Sequence, residues 1–204
     1  MKNQNLAEEY QYAKDGVKFT VKIEYDSSAE SPRDWDNLGK MICFHRRYDL
    51  PDERDTSSFG ADDFSSWAEL EAALTKEYDP CVILRVYMYD HSGITFNTTG
   101  FSCQWDSGQV GFILATKEQV RQEWHVKHIS KKLREQVERT LKGEVETYAQ
   151  WSEGEVYGYM VTDAEGNDID SCWGYYGIDA AKQEAQNTCD FNATRMLEKQ
   201  WQKV

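Results

Sequence analysis

From Val17 to Tyr25 the chain alternates apolar and polar side chains (Val17, Phe19, Val21, Ile23 and Tyr25 against Lys18, Thr20, Lys22 and Glu24), the period-two pattern of a strand with one buried face. Met41 to Phe44 reads as a short buried strand. Cys81 to Tyr89, rich in β-branched and aromatic residues, reads as a long central one. Asp90-His91-Ser92-Gly93 turns the chain into Ile94-Thr95-Phe96, and a loop rich in Gly, Ser and Thr leads to a strand at Val110 to Ala115. Together these segments predict an antiparallel meander. Val156 to Val161 and Ile169 to Tyr176 flank the turn residues Asp163 to Asn167 and predict a further hairpin.

Helical signals fall between these strands. Ser66, followed three residues later by Glu69, has capping-box spacing ahead of Trp67, Leu70, Ala73 and Leu74, and Asp79-Pro80 ends that helix. Thr116 caps a short helix with Val120 and Trp124. Ser130 caps a longer one in which Leu133, Val137, Leu141 and Val145 recur every four residues, with Gly143 as a weak point. Asp179 opens a C-terminal helix with Ala181, Ala185, Cys189, Met196 and Trp201 near one face. Paired strands in place of β-α-β alternation make the expected class α+β: an antiparallel meander and hairpin sheet packed against several helices, the last at the C-terminus. The expected organisation is a polar N-terminal segment, 1–16, and one α+β domain over 17–204. The connections at 26–40 and 49–65 are long for structureless loops, and such loops are commonly functional.

Composition adds charge to this picture. The 204 residues include 23 Lys and Arg against 36 Asp and Glu, a formal charge of −13 that repels nucleic-acid backbones. Between Asp49 and Asp79 ten acids (Asp49, Asp52, Glu53, Asp55, Asp62, Asp63, Glu69, Glu71, Glu77 and Asp79) face only Arg54 and Lys76. Direct nucleic-acid binding is therefore not expected, and a partner protein with a basic surface is. Solubility is the competing use of such acid. The five cysteines (Cys43, Cys81, Cys103, Cys172 and Cys189) are odd in number and lack a C-x-x-C pair, the usage of a reducing compartment. With neither a signal-like apolar run at the start nor an apolar stretch long enough to span a bilayer, the expected location is the cytoplasm and no membrane association is expected.

Two segments hold the residue types that do chemistry. The first runs from Ser31-Pro32-Arg33-Asp34-Trp35-Asp36-Asn37-Leu38-Gly39 into Cys43-Phe44-His45-Arg46-Arg47-Tyr48; the second joins Asp90-His91-Ser92-Gly93 to Phe101 through Gly111. These, with Asp170 to Gly177, resemble a family of uncharacterised proteins encoded by bacteriophages and mobile elements. The resemblance spans most of residues 17–177 and implies an accessory protein of a phage or mobile element. It carries no established fold, activity or catalytic residue.

Cys103, His91 and Asp106 are the types that build a thiolate nucleophile, its base and an orienting carboxylate, and His45 is a further candidate for such a site. A buried cysteine beside turn-forming Asp and Gly is the simpler use of the same residues. Asp26, Glu30, Asp34 and Asp36 offer oxygen ligands for a hard cation but lack the spacing of a calcium loop. Neither a metal nor a cofactor is expected. Arg33, Arg46 and Arg47 either neutralise neighbouring acids or form a small anion site. Trp35 and Trp105 lie in polar loops, where an exposed aromatic acts as a binding anchor. The expected binding set is thus Trp35, Trp105, Asp52, Glu53, Asp55, Asp62 and Asp63. The function expected is an acidic inhibitor or modulator that binds a host protein, such as a defence factor or a nucleic-acid-binding protein whose DNA it mimics. The alternative is a small enzyme acting on a nucleotide or other small molecule through His45, His91, Cys103 and Asp106.

Overall fold

A computed structural model describes residues 5–51, 60 and 63–201, with only the backbone for 199–201. The described residues form an α+β fold of two antiparallel four-stranded sheets and four α-helices. The chain gathers into two compact units, one formed by residues 1–30 and 154–204 and the other by 31–153. Within the stretch 17–204 expected to form one α+β domain, the chain passes from the first unit to the second at residue 31 and returns to the first at residue 154.

In the discontinuous unit, strand β1 (Leu6–Lys14) pairs with β2 (Val17–Tyr25), β2 with β7 (Val156–Asp163), and β7 with β8 (Asp168–Tyr176). The N-terminal segment read as merely polar is therefore largely a strand. Its signal is Asp15-Gly16 between Lys14 and Val17: both central residues have positive φ, 50° and 85°, as a two-residue hairpin turn with the twist of its strands requires. Phe19, Val21 and Ile23 of β2 and Tyr159 and Val161 of β7 form a fully buried face. Helix α4 (Ile178–Trp201) covers it with Ala181, Ala185, Cys189 and Ala193, spaced every four residues and all completely buried. Small side chains on the helix leave room for large ones on the sheet. Met196 is half-buried beside this core, and the side chain of Trp201 lies outside the described residues.

In the other unit the sheet order is β3 (Lys40–Cys43), β6 (Ser107–Thr116), β4 (Pro80–Asp90), β5 (Ile94–Asn97). β4 and β5 form a hairpin, and β6 returns to the far side of β4 and so becomes central. This explains why Val110 to Ala115 is buried at every position: helices cover both of its faces. On one face α3 (Lys131–Ser152) contributes Val137, Leu141, Val145 and Tyr148 to a core with Met41, Val86, Phe96 and Ile113. On the other, Leu70 and Leu74 of α1 (Trp67–Tyr78) pack on Phe112 and Leu114. The short helix α2 (Lys117–Glu123) begins at Thr116 with a complete capping box to Gln119. At α1 the reciprocal half of the box is displaced: Ser66 accepts from the Glu69 amide, but the Glu69 carboxylate accepts from Ser65. α3 runs unbroken through Gly143.

Antiparallel pairing places the end of β3, the end of β4 and the starts of β5 and β6 at one end of this sheet. The segment following β3 and the 98–106 loop both emerge there, which brings the two chemistry-bearing segments of the sequence together.

Candidate functional site

The turn after β4 is closed by the His91 amide donating to the Gly93 carbonyl at 3.0 Å, with Ser92 in the left-handed region at φ 60°. Opposite it, the 98–106 loop is fastened at both ends. Asn97 Oδ1 accepts from the Thr99 and Gly100 amides at 3.1 and 2.7 Å, and Asn97 Nδ2 donates to the Gly100 carbonyl. At the other end the Ser107 hydroxyl donates to the Cys103 carbonyl, and the Asp90 amide donates to the Asp106 carbonyl at 2.8 Å. Phe101 packs against Tyr89, ring centroids 5.6 Å apart, and Tyr89 stacks on His91.

Three of the four residues proposed from sequence as an enzymatic alternative meet here. The Cys103 thiol donates to Asp106 Oδ2 at 3.6 Å, and His91 Nδ1 lies 3.4 Å from that same oxygen. Asp106 therefore stands between thiol and imidazole. In a nucleophile-base pair the thiol hydrogen-bonds the imidazole and the carboxylate lies behind it, so the three side chains converge in a different order from the one such catalysis uses. The ring of His91 is largely exposed.

His45 belongs to the neighbouring segment. Its Nδ1 accepts from the Arg47 amide at 3.3 Å and its ring stacks on Tyr48 at 5.1 Å. Burial first, then the positive charge of Arg47, hold its pKa below the ordinary 6.5, with Asp90 opposing and Arg46 adding to the effect. Arg47 pairs with Asp90, and the Tyr48 hydroxyl donates to the other Asp90 oxygen at 3.2 Å. Asp90 thus joins the His45 segment to the His91 turn. Sequence reasoning passed over Asp90, although it directly precedes His91 in the turn motif.

The arginines divide their roles. Arg33, with 4% of its side chain exposed, pairs at 3.0 Å with Glu144 of α3 and donates to the Gly39 carbonyl. Its partner is distant in sequence instead of a loop acid. Arg46 is exposed and has no ion pair among the described residues. Of the loop carboxylates considered as cation ligands, Asp26 accepts from the Ser28 amide and hydroxyl in a local turn. Among the described residues no group of three or more His, Cys, Asp or Glu is arranged to hold a metal ion.

Trp105 is 96% exposed, at the outer part of the fastened 98–106 loop, and Trp35 is 51% exposed. Asp52, Glu53, Asp55 and Asp62 lie outside the described residues; Asp63 is exposed and accepts from the Gly60 amide. Other acids of the 49–79 stretch are also engaged: Glu69 with Ser65, Glu71 with Arg85 and Asp79 with Lys117. No helix among the described residues is long and apolar enough to cross a membrane. No family model matches the chain, and comparison with curated proteins and with solved structures finds no match either.

Proposed function

We propose that this chain is a non-enzymatic modulator that docks on a partner protein with a basic surface, using Trp105 as its anchor. The observation that carries the reading is Trp105, a large aromatic left 96% exposed on a loop whose backbone is tied down on both sides. Burying an indole on a partner gains apolar area, and a loop already ordered loses little further entropy on binding. Tryptophan is among the residues most enriched at binding hot spots. The net charge of −13 supplies attraction toward a basic partner and repulsion from nucleic acid. The resemblance to proteins of phages and mobile elements makes a host protein the expected partner, such as a defence factor or a nucleic-acid-binding protein whose basic groove accepts acid in place of DNA.

A second reading, a thiol enzyme acting on a small molecule, draws on the clustering of Cys103, Asp106 and His91. It requires the imidazole to take the thiol proton, whereas the thiol's hydrogen bond goes to Asp106. Affinity capture from a host lysate separates the two readings. Wild type and Cys103→Ala should retain the same specific partner while Trp105→Ala loses it. Undiminished capture by Trp105→Ala would remove the anchor and with it the proposal.

A further inference from the structure

Beside this cluster, and independent of the protein-binding reading, a cavity of about 700 Å³ opens between the segment following β3 and the start of α1. Its volume lies within the range of small-molecule sites. Phe44, Phe64, Trp67 and Leu70 give it an apolar and largely aromatic wall, and Trp67 is fixed edge-on against the buried Phe112 with centroids 6.2 Å apart. The polar groups at its rim are unequal. Arg47 is committed to Asp90 and lies over the Tyr48 ring. His45 has its pKa lowered by burial and neighbouring positive charge, so it is neutral near pH 7. Arg46 alone of the two lining arginines has no ion pair among the described residues, and Asp49 lines the same cavity.

We infer that this cavity binds a small aromatic anion, its ring against Trp67 and the two phenylalanines and its carboxylate or phosphate on the guanidinium of Arg46. The aromatic wall selects a flat apolar body. The Arg46 guanidinium, without an ion pair among the described residues, selects one acidic group, which it meets with charge-assisted paired hydrogen bonds. The Asp49 carboxylate disfavours ligands carrying more than one acidic group. Among the described residues Arg46 is thus a cation without an ion pair at the rim of an aromatic cavity, placed to meet an acidic group of a ligand.

Calorimetric titration of the full chain with indole-3-acetate, AMP, neutral indole and adenosine tests the assignment. At least one acid should bind saturably with Kd below about 1 mM, and its neutral counterpart should bind about tenfold more weakly or worse. Which acid binds decides between carboxylate and phosphate. Arg46→Gln, at an exposed position that leaves the core intact, should reduce the acid to the affinity of its neutral counterpart. Absence of saturable binding by both acids overturns the inference, as does an affinity unchanged in Arg46→Gln.

Discussion

Replacing Glu144 removes the charge that fastens the 31–39 segment to α3. In the folded chain its carboxylate takes three kinds of bond at once: the Arg33 guanidinium at 3.0 Å, the Leu38 amide at 2.9 Å, and the Gly39 amide at 3.1 and 3.2 Å. The two charged side chains are only 4% and 12% exposed. Gly39 is packed so closely that a Cβ there would come within 2.5 Å of Leu141 and 2.8 Å of Ile113, so the segment has little room to re-form its bonds elsewhere. Glu144→Ala leaves a buried guanidinium without its counter-charge, a change that costs about 3–5 kcal/mol. That would lower the melting temperature by roughly 10 °C in a protein of this size. Glu144→Gln keeps an acceptor for the two amides and should cost less, the difference between the variants reporting the amide bonds. Urea unfolding followed by circular dichroism measures all three proteins. A double-mutant cycle with Arg33→Ala should then show the two losses to be coupled by about 1 kcal/mol or more. A Glu144→Ala loss below about 0.5 kcal/mol, typical of surface changes, or strictly additive single losses, would mean that Glu144 does not fasten the segment through Arg33.

The His45 ring should titrate by NMR with a midpoint below 6.5, and Arg47→Gln should raise it by removing a positive charge and releasing Asp90. Because the folded value is the lower one, the contribution of neutral His45 to stability is present above pH 6.5 and is lost as pH falls through the lowered value; His45→Gln should abolish that part of the pH dependence. None of the five cysteines is in a disulfide. A thiol reagent should therefore find five reactive groups after denaturation, but in the native protein only the exposed Cys172 and the half-buried Cys103 should react readily. Cys43, Cys81 and Cys189 are buried, and burial first, then Asp190, pushes the Cys189 thiol up to about 11.

Much of the fold was legible because local pattern and tertiary environment agree. The alternation of β2 coincides with its buried face, and Ser66, Thr116 and Ser130 each accept a backbone amide at the helix starts read from them. β1 was missed because its apolar content is low, although Asp15-Gly16 marked its turn. The pairing of β2 with β7 was not legible, since 130 or so residues separate the two strands and no local pattern encodes that distance. At the site, residue types brought His91, Cys103 and Asp106 forward, but only geometry shows the carboxylate in the middle. Arg33 was named without its partner for the same reason: Glu144 is distant in the chain, and nothing in the sequence distinguishes it from the exposed carboxylates of α3. The exposure of Trp105 followed from its polar neighbours, whereas the bonds that hold its loop run from the Asn97 and Ser107 side chains to backbone groups two to four residues away, a turn geometry that residue types alone do not specify.

In the proposed function Trp105 anchors the chain on a partner protein with a basic surface. The most direct measurement of this anchoring is the binding kinetics of wild type and Trp105→Ala with the captured partner at several salt concentrations, after circular dichroism shows both proteins folded. Trp105 is almost wholly exposed, so its removal should leave stability unchanged. Losing a hot-spot indole should speed dissociation by tenfold or more, on the order of 2 kcal/mol. Association should slow with added salt to the same degree in both proteins, because the substitution leaves the charge of the surface unchanged. Equal dissociation rates for wild type and Trp105→Ala would contradict the account.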